Sequence, residues 1–332
     1  MLRLELPPSA SIAWAQALEN FDPGADPDDG ALDSAAEVAN AYVPADVARA
    51  LDGLRNDDGE HCAVLLQNAP IDWPLPPTPI TECAERHKPA RVSEGVLLGL
   101  ARLVGEPVAY AAEKGGVLVQ DVFPVASERK APSNASSAAD LDLHTELVFS
   151  RARPYEPMHL ASPDVFLLLC LRPDRGGVAT TTVVAADTLC ASLTPADRDE
   201  LRSAGFDLRA PHSFTRDGDG SRPWVGPVPL LHGPADAPRL AFDLTCGVRA
   251  REVVGERALE SLRRAAAAPR ACTEVRLTRG DLLLVDNRRC AHGRTSFPAS
   301  FDGWDRWVQR CYVRRSLQGL EPVLLGRSRR VL

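Results

Sequence analysis

Residues 279–297, RGDLLLVDNRRCAHGRTSF, decide how the rest of the chain is read. DLLLV is a short, wholly apolar run of the kind that forms a strand buried on both faces. DNRR is a turn, and His292 begins a second strand-like segment. Working outward, VLVQDVFPV (117–125), DVFLLLCLR (164–172), GVATTTVVAA (177–186), PRLAFDLTC (238–246) and WVQRCYVRR (307–315) are further short apolar runs separated by turn signals. Many short strands of this kind close into a sandwich or barrel. Helical patterns interrupt them near 194–205 and 253–268 and read as insertions covering a β core. Upstream, the acidic, turn-rich 21–33 precedes two amphipathic surface helices, 34–43 and 44–56, with Ser34 and Pro44 as their starts. CAVLLQNAPI (62–71) reads as a buried strand, and SEGVLLGLARLVG (93–105) as an apolar helix under the sheet. The expectation is an α+β chain with a jelly-roll centre and one domain spanning 1–332. Residues 1–115 form an N-terminal helical and strand cover, and 116–320 form the core. The polar loop 126–143 is too long for an ordinary connection and reads as a lid.

Composition narrows the partners. With 332 residues, 45% hydrophobic and 25% charged, the chain is long enough for a full core. Its net charge of −7 argues against general nucleic-acid binding, because phosphate neutralisation needs clustered positive charge. Lys88, Lys114 and Lys130 leave 35 of the 38 basic residues as arginine, so a lone arginine carries little information here. Eight cysteines without a CxxC pair indicate neither a disulfide framework nor a structural zinc site. No apolar run reaches the ~18 residues of a membrane span, and the first residues lack a secretory pattern. A cytoplasmic protein with a small-molecule partner, no nucleic acid and no membrane is expected. Its oligomeric state is not legible.

The chemistry concentrates in a few residues. In LDLHTELVF, His144 and Glu146 stand at i and i+2, so in a strand both side chains leave one face. Seven histidines and 45 acids produce about one such pair by chance, so the pair alone decides nothing. His292, in its strand–turn–strand frame, changes the reading. Two histidines and one carboxylate make the facial triad that binds Fe(II) and leaves positions open for a bidentate 2-oxo acid and for dioxygen. Arg306 and Arg310 share one face of an extended strand, and arginine is the side chain suited to bidentate capture of carboxylates. His61, His87, His159, His212 and His232 lack an acid at i+2 and read as structural or exposed.

Across roughly 62–313 the chain resembles the clavaminate synthase-like group of Fe(II)/2-oxoglutarate oxygenases, which includes bacterial asparagine oxygenases and arginine β-hydroxylases. The likeness is carried by CAVLLQNAPI, GVLVQD, HTELVF, VFLLLCLR, AFD and GDLLLVDNRRCAHGRTSF followed by the arginine pair. The resemblance implies a double-stranded β-helix, a distorted jelly roll, with Fe(II) held by His144, Glu146 and His292. It places the distal carboxylate of 2-oxoglutarate on Arg306 and Thr181, with Thr180 or Thr182 as alternatives if the alignment slips. It makes Arg310 the clamp for an amino-acid carboxylate, sets Gln120 and Glu146 near the α-amino group, and gives Asp243 the substrate side chain. Guanidine-binding relatives carry a second acid where this chain has Thr245, so a lone acid favours a single donor or ammonium over arginine, unless Asp121 or Asp140 completes the pair. Basic amino acids rank first, then asparagine and glutamine. The implied activity is hydroxylation of an unactivated C–H, at the β-carbon of a free amino acid, in specialised metabolism. Desaturation or cyclisation by the same chemistry and a non-catalytic jelly-roll binding protein are the alternatives. With Glu146 on the metal, no ligand place remains for chloride, which disfavours halogenation.

Overall fold

A computed structural model of the chain describes residues 1–81, 88, 90–129, 136–148, 162–214, 221–268, 272–320, 324 and 329–331. Strand β1 (Leu2–Glu5) is followed by helices α1 (Pro8–Ala17), α2 (Asp29–Tyr42) and α3 (Ala45–Asn56), then β2 (Ala63–Gln67) and α4 (Val92–Val104). Next come β3 (Glu106–Tyr110), β4 (Val119–Val122), β5 (Leu141–His144), β6 (Val165–Arg172), β7 (Thr181–Ala185), α5 (Ala186–Ala191) and α6 (Pro195–Leu201). Short strands β8 (Phe206–Arg209), β9 (Trp224–Val228), β10 (Leu231–His232), β11 (Arg239–Leu240) and β12 (Val248–Ala250) precede α7 (Val253–Ala266). The chain finishes with β13 (Thr273–Val275), β14 (Leu282–Asp286), β15 (Cys290–Arg294), β16 (Trp307–Arg314) and β17 (Arg330–Val331).

The large sheet runs β1-β2-β14-β6-β16-β3-β17, with β4 added to β16. β14 is buried at every position, as its unbroken apolar run requires, because sheets are covered on both faces here. Helices α1 to α4 pack on one face, where Leu66, Leu100, Leu167 and Trp307 share a core. The other face looks onto the smaller sheet β13-β7-β15-β5, across a core that includes Phe166, Val184, Leu283 and Tyr312. Two sheets closed around an interior are the jelly roll that the sequence leads one to expect. β16 serves both sides. Its even positions Val308, Arg310 and Tyr312 turn inward, while Trp307, Gln309 and Cys311 turn towards α4. α4 crosses α2 so closely that a Cβ on Gly99 would meet Ala35 O at 2.5 Å.

Several boundaries differ from the expectation. α2 begins at Asp29, not Ser34, because the Asp28 carboxylate accepts from Ala31 N–H at 2.8 Å and caps the helix. Pro44 does precede α3. PRLAFDLTC yields only the two-residue β11, since Asp243 turns the chain by accepting from Cys246 N–H. α6 and α7 occupy the two expected insertions, and α1, α5 and β1 have no strong period in the sequence. Residues 130–135 of the expected lid lie outside the described residues. Among the described residues no helix is long and apolar enough to cross a membrane.

Candidate active site

β15 and β5 run antiparallel in the smaller sheet, with His292 opposite His144. His144 is the last residue of β5, so Glu146 lies beyond the strand and not within it. Its place is set by tertiary contacts. Thr145 N–H donates to Phe242 O at 2.8 Å. The Asn287 side chain then clasps the backbone of residue 146, with Oδ1 accepting from Glu146 N–H at 2.7 Å and Nδ2 donating to Glu146 O at 3.1 Å. One ligand atom from each of His144, Glu146 and His292 falls within 4.8 Å of the others.

The electrostatics suit a divalent cation. His144 Nδ1 lies 2.8 Å from Asp142 O, and donation there leaves the Nε2 lone pair for a metal. Burial, with His144 beside it, pushes His292 down to about 4, so the ring is neutral at ordinary pH. Burial alone would raise the Glu146 carboxyl, but Arg310 and then His292 hold it well below the usual range. Arg310 Nη1 donates to Glu146 Oε1 at 3.0 Å and Oε2 at 3.2 Å, and Tyr312 OH donates to Oε2 at 2.8 Å. Two imidazoles and one carboxylate fit a first-row divalent metal and do not demand a softer one.

The triad opens into a cavity of about 650 Å³, of a size that holds a small metabolite. Arg306, Arg310, Thr181, Asp243 and Thr245 all line it. Thr181, not Thr180 or Thr182, reaches the wall. Thr180 Oγ1 turns back to Val178 O, and Thr182 alternates to the other face. Arg306 is buried and forms no ion pair among the described residues. Burial lowers its pKa. Gln120 stands behind Arg310, its Oε1 accepting from Nη2 at 2.7 Å and Nε at 3.2 Å, and it is not part of the cavity wall. Asp243 bridges to the His144 backbone, and its Oδ1 is engaged by Cys246 N–H at 2.8 Å. Thr245 donates to Asp142 O at 3.0 Å.

Neither Asp121 nor Asp140 joins Asp243, which corrects that expectation. Asp121 follows Gln120 on β4 and so turns to the helix side, where Trp307 Nε1 donates to it at 2.6 Å. Asp140 accepts from Ser296 N–H. The further acids that do line the cavity are Glu128 and Glu113, the latter bonded to Arg310 Nη2 at 3.2 Å and to Ser213. Sequence reading misses Glu113, Asn287 and Tyr312, although Asn287 sits in the quoted DNRR turn and Tyr312 shares the face of Arg310. His61 and His232 stand outside the cavity wall. His87 and His159 fall outside the described residues, as does the side chain of His212.

A jelly roll with two histidines and a carboxylate at the mouth of its interior defines the mononuclear non-haem iron oxygenases as a class. The profile of the Taurine catabolism dioxygenase TauD, TfdA family matches residues 89–312. The chain belongs to that family. It is 37% identical to an L-asparagine oxygenase of Streptomyces coelicolor over 309 residues, 92% of this chain and 86% of that protein. It is also 32% identical over 285 residues to an L-lysine 3-hydroxylase of Catenulispora acidiphila, covering 84% and 74%. The crystal structure of asparagine oxygenase in complex with Fe(II), (2S,3S)-3-hydroxyasparagine and succinate superposes with a TM-score of 0.86 at 31% identity, over 100% of this chain and 99% of that one. The clavaminate synthase-like reading and its jelly-roll fold are thereby borne out, with Fe(II) and 2-oxoglutarate as cofactor and co-substrate.

Proposed function

We propose that the protein is an Fe(II)- and 2-oxoglutarate-dependent dioxygenase that hydroxylates the β-carbon of a free polar or basic L-amino acid. The observation that carries this reading is the meeting of the His144–Glu146–His292 triad with Arg306 and Arg310 in one cavity. His144, Glu146 and His292 hold the iron, and Arg306 with Thr181 holds the distal carboxylate of 2-oxoglutarate. When bound, iron and 2-oxoglutarate together supply the oxidising equivalent from dioxygen that breaks an unactivated C–H bond. Arg310 exchanges its contacts with Glu146 and Glu113 for the substrate carboxylate, while Gln120 keeps the guanidinium oriented from behind. That exchange frees the two carboxylates to face the α-amino group. The walls beside the triad keep water from the reaction.

Asp243 reads the side chain. With Oδ1 engaged by the turn, the carboxylate has little capacity for a forked guanidinium and suits one carboxamide or ammonium donor group. The relatives named above act on asparagine and lysine, so asparagine leads, lysine and ornithine follow, and arginine comes last. We take 1–332 as one domain in which loop 126–143, through Glu128 and Leu141, borders the substrate. The cytoplasm, where 2-oxoglutarate is abundant, is the compartment consistent with this chemistry.

The test is a panel of asparagine, glutamine, lysine, ornithine, citrulline and arginine with Fe(II), ascorbate and 2-oxoglutarate. Succinate and the mass of the amino acid are followed together. Succinate formed in step with one added oxygen on asparagine or a basic amino acid is expected, and Asp243→Asn should depress turnover of the best substrate. Absence of succinate with every substrate overturns the reading.

A further inference from the structure

Strand β4 reads VQDV, and its two faces carry the same mixture. Val119 and Asp121 turn to the helices, while Gln120 and Val122 turn to the cavity side. Each face therefore holds one apolar and one polar residue. Burial of apolar surface does not choose between this register and one slipped by a single residue, which exchanges the faces. Among the described residues β4 pairs with β16 alone, with Val119 opposite Cys311, Gln120 opposite Arg310, Asp121 opposite Gln309 and Val122 opposite Val308. Register decides what stands beside Arg310. As observed, the neutral Gln120 amide supports the guanidinium, whereas a slip of one residue sets the Asp121 carboxylate there.

The contacts that oppose the slip lie on the far side of the sheet. Gln309 is fully buried, and its Nε2 donates to Asp121 Oδ1 and to Glu94 Oε1, both at 3.1 Å. Trp307 Nε1 donates to the same Asp121 oxygen at 2.6 Å. Glu94, on α4, also accepts from Arg91 at 3.4 Å and from Lys88, whose Nζ reaches Asp72 Oδ2 at 2.9 Å. Ionised carboxylates only accept hydrogen bonds, and a primary amide nitrogen carries two hydrogens, so one Gln309 side chain joins a carboxylate of β4 to a carboxylate of α4. Its Oε1 has no hydrogen-bond partner among the described residues. A core position that bridges two carboxylates and strands an amide oxygen adds less stability than apolar side chains would there. Buried polar contacts of this kind are suited to fixing register.

We infer that Gln309 and Asp121 are positioning residues that lock β4 in register on β16, and that the lock keeps a third carboxylate away from Arg310, so its charge stays available to the carboxylate of the amino acid. The inference rests on the role given to Arg310 above and extends it to two residues outside the cavity wall. Beside Arg310, Asp121 would pair with the guanidinium as Glu146 and Glu113 do, and the substrate would have one more carboxylate to displace. β16 itself is held by β6 from Trp307 to Val313, and its pairing with β4 stops at Val308. Arg306 and the co-substrate therefore keep their places when β4 moves.

The experiment has two readouts, one of which needs no turnover. Val119→Cys places a thiol opposite the native Cys311, and directly opposed strand residues lie about 5 Å apart at Cα, within reach of a disulfide. Oxidation with diamide should join 119 to 311, as counted by mass spectrometry of the digest, and adding Gln309→Val should lower the yield by more than half. The second readout uses the best amino acid of the panel above, expected to be L-asparagine, with Val119 in place. Gln309→Val should raise its half-saturating concentration about tenfold, and should change kcat and the half-saturating 2-oxoglutarate concentration less than about twofold. Asp121→Asn keeps the acceptor oxygen and should match the unaltered protein in both. Adding Asp121→Val to Gln309→Val makes the helix face of β4 apolar, so burial then selects the observed register and both readouts should recover. Unchanged crosslinking and affinity in Gln309→Val overturn the inference, as does further loss in the double variant, which would mark a packing role alone. Lost crosslinking with unchanged amino-acid affinity overturns the link to Arg310. If the unaltered enzyme turns over no amino acid, the hydroxylase reading falls, and the crosslink still decides the register.

Discussion

Glu146 is shared between the metal site and the substrate clamp, and its neighbours set how. Tyr312 and Arg310 both bond Oε2, while Oε1 lies 3.4 Å from His292 Nε2. His144→Ala, Glu146→Ala and His292→Ala should each abolish turnover and lower Fe(II) affinity by tenfold or more on the order of magnitude known for lost ligands and their supports. Equilibrium dialysis reads the affinity, and circular dichroism shows that the fold persists. Retained metal binding in any one of them would remove that residue from the triad. The arginines should separate by ligand. Arg306→Met should raise the half-saturating 2-oxoglutarate concentration, and Arg310→Met that of the amino acid, each by roughly thirtyfold, the equivalent of about 2 kcal/mol for a lost charge-assisted pair. Steady-state titration of each co-substrate at saturating concentration of the other decides it, and interchange of the two effects would reverse the roles.

At the scale of elements, the two histidines depend on how closely β5 and β15 approach. Gly293, between His292 and Arg294, has no room for a side chain, because a Cβ there would meet Leu141 O at 2.6 Å. Gly293→Ala should push β5 away and reduce metal affinity on the order of tenfold while far-ultraviolet dichroism changes little. Metal titration checks this, and an unchanged affinity would show that the strands yield without moving the ligands. Elsewhere, Asp207 on β8 ties β12 through Arg249 at 3.0 Å and Arg251 at 2.7 Å. Burial opposes its ionisation, but Arg251 and Arg249 win and hold its pKa below the ordinary 3.8. A carboxyl depressed on folding contributes stability that is present above its unfolded pKa and lost as pH falls through the folded value. Asp207→Asn should therefore lower Tm at neutral pH, through a loss of at most about 1 kcal/mol of folding free energy because the arginines are half exposed. The difference from the unaltered protein should shrink below pH 3.8. Thermal melts across pH 3 to 7 test it, and a constant difference would place the effect in packing.

Over the whole molecule, binding should be visible as stability. The cavity lies between the two sheets and takes residues from β5, β7, β15, β16 and the turn after β11, so a ligand that fills it braces elements distant in sequence. A ligand at a hundred times its Kd adds about 2.7 kcal/mol to the folded state, which corresponds to a rise of a few degrees in Tm for a chain of this size. Anaerobic melts should rise on adding metal and rise again on adding 2-oxoglutarate, and the second rise should vanish in Arg306→Met. A second rise that persists in that variant would place the co-substrate elsewhere.

The chain by itself determines the donors and the strands that carry them. His144, Glu146, His292, Arg306 and Arg310 are legible because metal and carboxylate chemistry depends on residue type, and the apolar runs around them have the short length and turn punctuation of a jelly roll. Periodicity also finds α3 and α7, whose buried faces follow from spacing alone, and the apolar run 93–105 finds α4. What surrounds the donors is decided only in three dimensions. Asn287 reaches the backbone of Glu146 across 141 positions, and Tyr312 reaches its carboxylate across 166. The same holds for Asp121, which lies next to Gln120 in the chain yet on the opposite face of the sheet, and for Arg294, which strand register sets opposite Thr181 in the cavity wall. Strand pairing joins residues far apart in sequence, and no local pattern encodes which of many polar side chains will meet there. Ligand identity is a property of residues, whereas their orientation and charge state are properties of neighbours that folding alone brings within a few ångströms.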